Sequence, residues 1–324
     1  MTKNSLFAEP HFQNDEAARA MLESILWPDG PVCAHCGVVG HAYATKRSGV
    51  YRCAEKACRK DFSVTMKTVM ERSHIALHKW LQGFHLMVSS KKGVSAHQLH
   101  RTLQITYEAA WFMAHRIREA MRLGGLAPMG GNGKTVEVDE TYIGRLEGQP
   151  KRGRGAASTH KNTVLTLVER GGAARSFHID GTTIAQVAPI IRANISRESR
   201  LMTDEANVYP QVGADFASHD AVNHSEKQYV RYFNEVTDKM RPDGKPHVKT
   251  TTITTNTVEG YYSIFKRGMK GIYQHCSEKH LHRYLSEFDF RYSNRVALGV
   301  NDGERRTLAI KGAAGKRLTY RGRH

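Results

Sequence analysis

Three short motifs, far apart in the sequence, each hold a carboxylate in a setting that suits the binding of a divalent metal ion. They occupy residues 136–142, 201–207 and 256–266. Chemistry on a phosphodiester through two metal ions about 3.5–4 Å apart requires carboxylates from separate elements that converge on one point. Mg²⁺ prefers such oxygen ligands and keeps positions open for phosphate and water. The candidate ligands in these motifs are Asp139, Asp204 and Glu259.

The residues around the first two acids predict strands. Residues 135–142 alternate between the two faces of a strand, which places Asp139 and its neighbour Glu140 on opposite sides. Asp204 ends a later predicted strand, and its neighbour Glu205 again points the other way. The chain around these acids predicts a hairpin at 162–168 and 174–179, a helix at about 182–195 and a strand at 199–204. This succession describes an α/β fold, a mixed sheet flanked by helices.

The third motif predicts a helix in which two residues compete for the role of metal ligand. Asn256 as N-cap and Glu259 three residues later match a capping box, which would explain both without a metal. A helix also places Lys266 and Lys270 on the same sector, with Lys266 about two turns beyond Glu259. The opposite sector is apolar and consists of Val258, Tyr261, Tyr262, Phe265 and Met269. A cap accounts for the first turn only, so the aligned lysines favour a surface that faces nucleic acid. Because a carboxylate neutralises Mg²⁺ better than an amide, we prefer Glu259 and keep Asn256 as the alternative.

The composition also favours a polyanionic partner. The chain has 48 lysines and arginines against 31 aspartates and glutamates, a formal net charge of +17. Such a charge is typical of proteins that bind nucleic acid. The start of the sequence lacks the apolar core of a signal peptide, and no uninterrupted apolar stretch approaches a membrane span. We therefore expect a cytoplasmic protein that does not enter a membrane.

Four of the five cysteines are spaced as metal ligands. They are Cys33, Cys36, Cys53 and Cys58. Four thiolates in two such pairs can complete a tetrahedral Zn²⁺ site, and Gly37 would ease the first turn. The second pair is separated by four residues rather than two, and His35 and His41 are close enough to replace a cysteine. We predict a zinc ribbon that holds one structural Zn²⁺ and folds with its metal.

Residues 73–123 predict several helices, two of which form a helix-turn-helix layout. Ser95 and Thr106 are plausible N-caps on either side of a short turn. The second helix could enter the major groove of DNA. Alternatively, the pair is a spacer whose apolar stripe is simply core. The stripe consists of Ala110, Met113, Ile117 and Met121. The glycine-rich stretch 124–133 then reads as a linker.

Taken together, these motifs resemble the DDE transposases of bacterial insertion sequences. The resemblance is strongest to the branch with an N-terminal zinc ribbon before an RNase H-like, or integrase-like, catalytic domain. It covers about residues 20–297, and the order of the motifs with the Glu259-to-Lys266 spacing makes it specific. The matching segments are 138–144, 203–205, 223–225, 256–260 with 266–271, and 280–295.

The resemblance implies the site residues, cofactors and partners. Asp139 and Asp204, rather than the adjacent glutamates, would hold two Mg²⁺ (or Mn²⁺) ions together with Glu259, and Lys266 would hold a phosphate. The enzyme would cleave DNA at the terminal inverted repeats of the element and transfer the strands into target DNA. It would act as a homo-oligomer on DNA and associate with the bacterial nucleoid. His224 is a further candidate neighbour of the metal site, although a lone histidine is more often a packed or surface residue.

The expected organisation has five parts. They are an N-terminal segment (1–27), a zinc ribbon (28–70), a helical DNA-binding or spacer module (71–126), an RNase H-like catalytic domain (133–298) and a basic C-terminal tail (299–324). The basic stretches 151–154 and 316–323 would add phosphate contacts that position DNA without reading its sequence. Two other functions stay open from the sequence. One is a nuclease with the same metal chemistry and no joining step, and the other is a domesticated DNA-binding regulator.

Overall fold

Two segments from opposite ends of the chain build one unit, and the continuous stretch between them builds another. The computed structural model describes residues 6–148, 160–222, 230–240 and 246–319. The first unit joins the chain up to Gly124 to the segment from Asn294 onward, and the second comprises Gly125–Ser293. The basic tail, predicted as a segment of its own, therefore belongs to the first unit as far as it is described.

The first unit begins with a helix and a small sheet. Asn14 caps helix α1 (Asp15–Leu26) by accepting a backbone hydrogen bond of 2.8 Å. Three antiparallel strands follow in the order β1-β2-β3: β1 (Ala42–Ala44), β2 (Tyr51–Cys53) and β3 (Asp61–Phe62). The rings of Trp27, Tyr51 and Phe62 contact one another and supply much of the apolar core of this small sheet.

Three helices follow the ribbon: α2 (Leu77–Ser89), α3 (Ala96–Leu103) and α4 (Tyr107–Met121). The two predicted N-caps are confirmed, because the hydroxyl oxygens of Ser95 and Thr106 accept backbone hydrogen bonds of 3.1 and 3.2 Å. Between α3 and α4 the chain turns through Gln104, whose φ of 50° lies in the left-handed region. The helix-turn-helix layout is therefore present.

Helix α4 has little surface to present to DNA. Ala110 and all residues from 113 to 121 are buried, whereas Tyr107 and Glu108 in the first turn are exposed. The apolar stripe that sequence assigned to this helix is thus core, as the spacer interpretation predicts. Only α3 and the first turn of α4 offer exposed side chains within this helix pair.

The second unit is built on a five-stranded mixed sheet. Its strands are β4 (Thr135–Ile143), β5 (Asn162–Glu169), β6 (Ala174–Ile179), β7 (Arg200–Thr203) and β8 (Ser218–Ala221), in the order β6-β5-β4-β7-β8. The first three pair antiparallel, and β7 pairs parallel with both β4 and β8. The predicted hairpin is confirmed, and its glycine pair includes Gly171 at a φ of 68°. Two longer strands, β9 (Arg231–Met240) and β10 (Pro246–Ile253), form a separate antiparallel ribbon.

Helices cover both faces of the mixed sheet. They are α5 (Ile184–Asn194), α6 (Tyr209–Gly213), α7 (Asn256–Gly268) and α8 (Leu281–Ser293). One apolar core joins α5 and α6 to the sheet, and a second joins α7 and α8 to it. This confirms the expected α/β class and is consistent with an RNase H-like domain. No helix in the described ranges is long and apolar enough to cross a membrane.

The C-terminal segment completes the first unit. It contains helix α9 (Asp302–Lys311), where the Arg305 guanidinium donates to the Val88 carbonyl at 3.0 Å. Further along, the ammonium of Lys316 donates to the carbonyls of Glu119 and Ala120 in the last turn of α4, at 3.1 and 3.3 Å. A cation at this place stabilises the C-terminal end of a helix. Lys316, which sequence assigned to phosphate contacts, therefore has a structural role.

Candidate active site and zinc centre

Asp139 lies on the central strand β4, just past its pairing with β7. It is half-buried, and its Oδ1 accepts the backbone N–H of Glu140 at 2.8 Å. The hydroxyl of Tyr262, buried on helix α7, donates to the backbone carbonyl of Asp139 at 2.6 Å. This bond ties the acid-bearing strand to the helix that carries the third motif.

Asp204 directly follows β7, at the same end of the sheet. β4 and β7 are parallel, with Glu137 opposite Met202, so the register extended by two residues brings Asp139 level with Asp204. Neighbouring strands lie about 4.8 Å apart. The Asp204 carboxylate accepts the backbone N–H of Ala206 at 3.0 Å, which turns the chain away from the strand and fixes the side chain.

Glu259 and Asn256 are both exposed in the first turn of α7, and the predicted capping box between them is wrong. The helix begins with Asn256 as its first residue, and Thr255 is the N-cap. The Thr255 hydroxyl donates to Glu259 Oε1 at 3.1 Å. The backbone N–H of Asn256 donates to the Thr254 hydroxyl at 3.2 Å. Neither of these bonds joins the two candidates. The prediction of the buried face is confirmed, since Val258, Tyr261, Tyr262, Phe265 and Met269 are all buried.

The charges of the acids are coupled. The pKa of Asp139 is raised to about 7, first by burial and then by the negative charges of Glu140, Asp204 and Glu259. All three candidate carboxylates therefore contribute to one electrostatic field. A divalent cation would relieve the repulsion, and the donor set of carboxylate oxygens suits Mg²⁺ or Mn²⁺. The three lie less closely together than cysteine ligands do, because among the described residues only the cysteine group has its potential ligand atoms all within 4.8 Å.

Lys266 lies close enough to Asp139 for their charges to interact. Its ammonium is 5.7 Å from the centre of the Tyr262 ring. Burial lowers the pKa of Lys266, and the nearby charges of Lys270 and Lys161 lower it further, whereas Asp139 opposes them. Lys266 is therefore close enough to Asp139, Lys270 and Lys161 to sense all three charges, and a group of positive charges beside the acids suits a phosphate group.

The four ribbon cysteines converge as predicted. Their sulfurs all lie within 4.8 Å of one another. The Sγ atoms of Cys33 and Cys58 are 3.8 Å apart, and those of Cys36 and Cys53 are 3.6 Å apart. Tetrahedral zinc with Zn–S bonds of about 2.3 Å separates its sulfurs by about 3.8 Å. The cysteines therefore fit a structural Zn²⁺.

The neighbouring histidines have other partners, so they are not needed as zinc ligands. His35 Nε2 lies 3.1 Å from the carbonyl of Asp61, and His41 Nδ1 lies 2.7 Å from the Glu55 carboxylate. Gly37 has a φ of 82°, as the tight first turn requires. The wider second pair is closed by a turn in which the Cys58 amide donates to the Glu55 carbonyl at 3.0 Å.

Comparison with known proteins gives the family. A protein-family model described as an ISXO2-like transposase domain matches residues 130–293, just over half of the chain. This chain belongs to that transposase family. A second model, a transposase zinc-ribbon domain, matches residues 13–61. A curated protein of Halobacterium salinarum, described as an uncharacterized protein in transposable element ISH50, is 25% identical over 298 residues, which cover 86% of this chain and 91% of that protein.

The family confirms the resemblance of the sequence to transposases with an N-terminal zinc ribbon. The chain is therefore an enzyme that acts on DNA. The ribbon match begins at residue 13, so it includes helix α1 as well as the cysteines. The transposase-domain match spans the sheet and helix α8, and it includes all five residues predicted to serve catalysis. They are Asp139, Asp204, Asn256, Glu259 and Lys266.

Two acids on β4 have partners that the sequence did not predict. Glu140 accepts a hydrogen bond from the buried Tyr209 hydroxyl, and burial raises its pKa. Glu137 is fully buried on β4 and pairs with Arg170 at 2.6 Å. A charged residue at a buried strand position is a signal that sequence alternation could have found. The partners are far away in the chain, so the pattern does not predict them.

Several candidate residues lie outside the described parts of the chain. They are His224, the basic loop around Lys151, Arg152 and Arg154, and the end of the tail with Arg321 and Arg323. Cys276, the fifth cysteine, is partly buried and packs beside the core of α7 and α8.

Replacing Asp139 by asparagine should stabilise the metal-free transposase above neutral pH. The pKa of Asp139 is raised from 3.8 to about 7, so the folded chain binds more protons than the unfolded chain between these values. Stability should therefore fall as the pH rises from about 4 to about 7, by at most about 4 kcal/mol. Melting temperatures measured by circular dichroism should be several degrees higher for Asp139→Asn at pH 8 and equal to wild type near pH 4. Asp180→Asn, at an exposed position, is the control, and an equal gain there would contradict the explanation.

Proposed function

We propose that this transposase cleaves DNA at the ends of an insertion sequence and transfers the strands into target DNA in a metal-dependent reaction. The proposal is supported by the β4–β7 register, which brings Asp139 level with Asp204, together with the charges of Asp204 and Glu259 that raise the pKa of Asp139. These acids come from β4, the end of β7 and helix α7, so their common purpose is best explained by metal binding. A protein that only bound DNA would not need three converging acids amid a net charge of +17.

Asp139, Asp204 and Glu259 are the residues that would hold two Mg²⁺ or Mn²⁺ ions. Bound there, the ions would activate water or a 3′-hydroxyl and stabilise the leaving oxygen. The protein's own part is to hold the acids in place. The backbone bonds of Asp139 and Asp204 and the threonine hydroxyl at Glu259 orient the carboxylates before the metal arrives.

Lys266 would hold a phosphate of the DNA beside the acids. An ammonium group binds phosphate as a point charge and needs no fixed geometry. Lys270, exposed in the π-helical turn (Met269–Tyr273) that directly follows α7, would extend the same positive surface. The zinc ribbon, helix α3 and the first turn of α4 would bind the ends of the element, because the rest of α4 is buried.

The proposed reaction can be tested with the DNA that flanks the gene. Short inverted repeats on both sides would supply the terminal substrate. Purified protein with Mg²⁺ should nick or cut at the repeat and, with a labelled target duplex, form joined products longer than the substrate on a denaturing gel. Cleavage that never leads to joining would identify a nuclease instead. Specific binding without any cleavage would identify a regulator.

The choice between Glu259 and Asn256 as the third ligand has its own test. Glu259→Gln should lose cleavage, because the neutral amide holds Mg²⁺ poorly. Asn256→Ala should keep most activity and most stability, since Asn256 is neither the N-cap nor buried and alanine favours helices. The two variants are compared in the same Mn²⁺-dependent cleavage assay. An active glutamine variant beside an inactive alanine variant would make Asn256 the ligand.

A further inference from the structure

A buried carboxylate two residues before Asp139 is anchored to the start of helix α7. Glu137 has no exposed surface. Its Oε2 accepts the backbone N–H groups of Thr257 and Val258 at 2.7 and 3.0 Å. Its Oε1 accepts the Thr257 hydroxyl at 2.7 Å and the Arg170 guanidinium at 2.6 Å. A carboxylate has about four acceptor positions, so all of them are used.

Arg170 extends this anchor to two further segments. It directly follows β5 and donates to the carbonyls of Thr252 and Thr254 at 2.6 and 2.8 Å, on the chain that leads into α7. The same guanidinium lies 2.8 Å from the sulfur of Met202. Met202 is on β7, two residues before Asp204. The pair of Glu137 and Arg170 therefore contacts every element that carries a proposed metal ligand.

We propose that Glu137 and Arg170 are positioning residues that set the spacing of the three metal-binding carboxylates. This inference rests on the proposed metal-dependent function. Glu137 precedes Asp139 by two residues, Met202 precedes Asp204 by two, and Val258 is the residue before Glu259. A shift of any of these contacts would move the adjacent acid by a similar amount. Active-site carboxylates must be held within about 0.5 Å of their working geometry.

The chemistry of the contacts explains why a charged pair is used. The first amides of a helix have no partner within the helix, and a carboxylate both satisfies them and matches the positive end of the helix dipole. With Thr254 binding the amide of Asn256, the amides of the first three helical residues are all occupied. Apolar packing could stabilise this core equally well, since buried ion pairs add little net stability. Directed bonds fix where the helix begins and how it is rotated, which apolar packing does less well.

The test measures binding of Mn²⁺ alone to the full-length, zinc-loaded protein, by electron paramagnetic resonance of the free ion. The site is defined as the Mn²⁺ binding that wild type has and Asp139→Asn lacks. Glu137→Gln should weaken this binding about 10- to 100-fold, the usual effect of removing a residue that orients metal ligands. Circular dichroism at the same temperature must show that the variant is folded. The same loss should appear as a higher Mn²⁺ requirement for cleavage, with DNA affinity unchanged.

Asp289→Asn is the matched control. The Asp289 carboxylate also anchors α7, because it accepts the Tyr261 hydroxyl at 2.6 Å. It connects this helix to Ser176 on β6, a strand without a proposed ligand, at 2.8 Å to the amide. Its loss should lower stability and leave Mn²⁺ affinity unchanged. If Glu137→Gln does not fold, Arg170→Lys takes its place, because it keeps the charge and loses the planar guanidinium that contacts four partners.

The possible outcomes separate the positioning role from the proposed metal mechanism. Unchanged Mn²⁺ affinity in folded Glu137→Gln, or in Arg170→Lys, overturns the positioning role. The proposed reaction does not depend on that result and is tested separately by the joining assay. An equal loss in Asp289→Asn also overturns it, because any weakening of α7 would then suffice. If wild type and Asp139→Asn bind Mn²⁺ alike, the acids form no metal site, and the proposed metal mechanism and this inference both fail.

Discussion

Replacing Asp139 or Asp204 by asparagine is expected to abolish DNA cleavage and to leave DNA binding unchanged or slightly tighter. Each change removes the negative charge of one proposed metal ligand, keeps the size of the side chain and leaves one oxygen that can accept a hydrogen bond. The expected loss of rate is on the order of a thousand-fold or more, as for the removal of one group that stabilises charge in a transition state. Binding should not weaken, because one negative charge facing a polyanion is lost.

Gel-based cleavage rates with Mg²⁺ and with Mn²⁺, beside fluorescence anisotropy on the same DNA, measure both effects. Glu205→Gln is the matched control, since it is adjacent to Asp204 and was assigned to the other side of the chain. The control should cleave at close to the wild-type rate. Cleavage by either asparagine variant at more than a tenth of that rate would remove the residue from the catalytic site. Weaker DNA binding would instead indicate a damaged fold.

Removing the zinc is expected to unfold the ribbon. Its sheet has only three short strands and a small aromatic core. This buries too little apolar surface for the ribbon to fold without a bound metal ion. Structural zinc contributes about 10–16 kcal/mol of apparent binding free energy to domains of this kind. Cys33→Ser or Cys53→Ser should therefore abolish zinc binding and specific binding to the ends of the element. The acids of the second unit should keep their Mn²⁺ site.

Elemental analysis and limited proteolysis provide the measurements. Wild type should contain about one zinc per chain, and Cys276→Ser, outside the ribbon, should contain the same. The two ribbon variants should lose zinc and be cut by protease between about residues 28 and 66. A ribbon variant that loses zinc and yet resists protease would show that the metal is not what holds this sheet together.

The local patterns of the sequence predicted much of the second unit. Periodicity found the β4–β6 strands, helix α5 and the buried face of α7, because each is set by alternation or by helical spacing. The caps Ser95 and Thr106 were also found, since a cap is recognised by its own side chain and the next three residues. The cysteine spacing predicted the zinc site because it, too, is a local pattern of the sequence.

What the sequence did not predict depends on distant contacts. Strands β8, β9 and β10 were not assigned, because their pairing partners decide their conformation as much as their own residues do. The capping box failed at Asn256 because Glu137, about 120 residues earlier, already binds the helix amides. Sequence could place Glu137 on the same strand face as Asp139, but no local pattern relates it to Thr257. Lys316 was misread for the same reason, since its carbonyl partners lie at the end of α4.

The discontinuous make-up of the first unit has a consequence for biosynthesis. Once residue 293 has emerged from the ribosome, the second unit is complete, while the first unit still lacks helix α9 and its contact to α2. Domains fold largely as they emerge, so the second unit can fold before helix α9 is available to complete the first unit. The order of completion is thus the reverse of the order in which the two units begin. A chain cut short by a stop codon before Asp302 would carry all three proposed catalytic acids and an unfinished first unit.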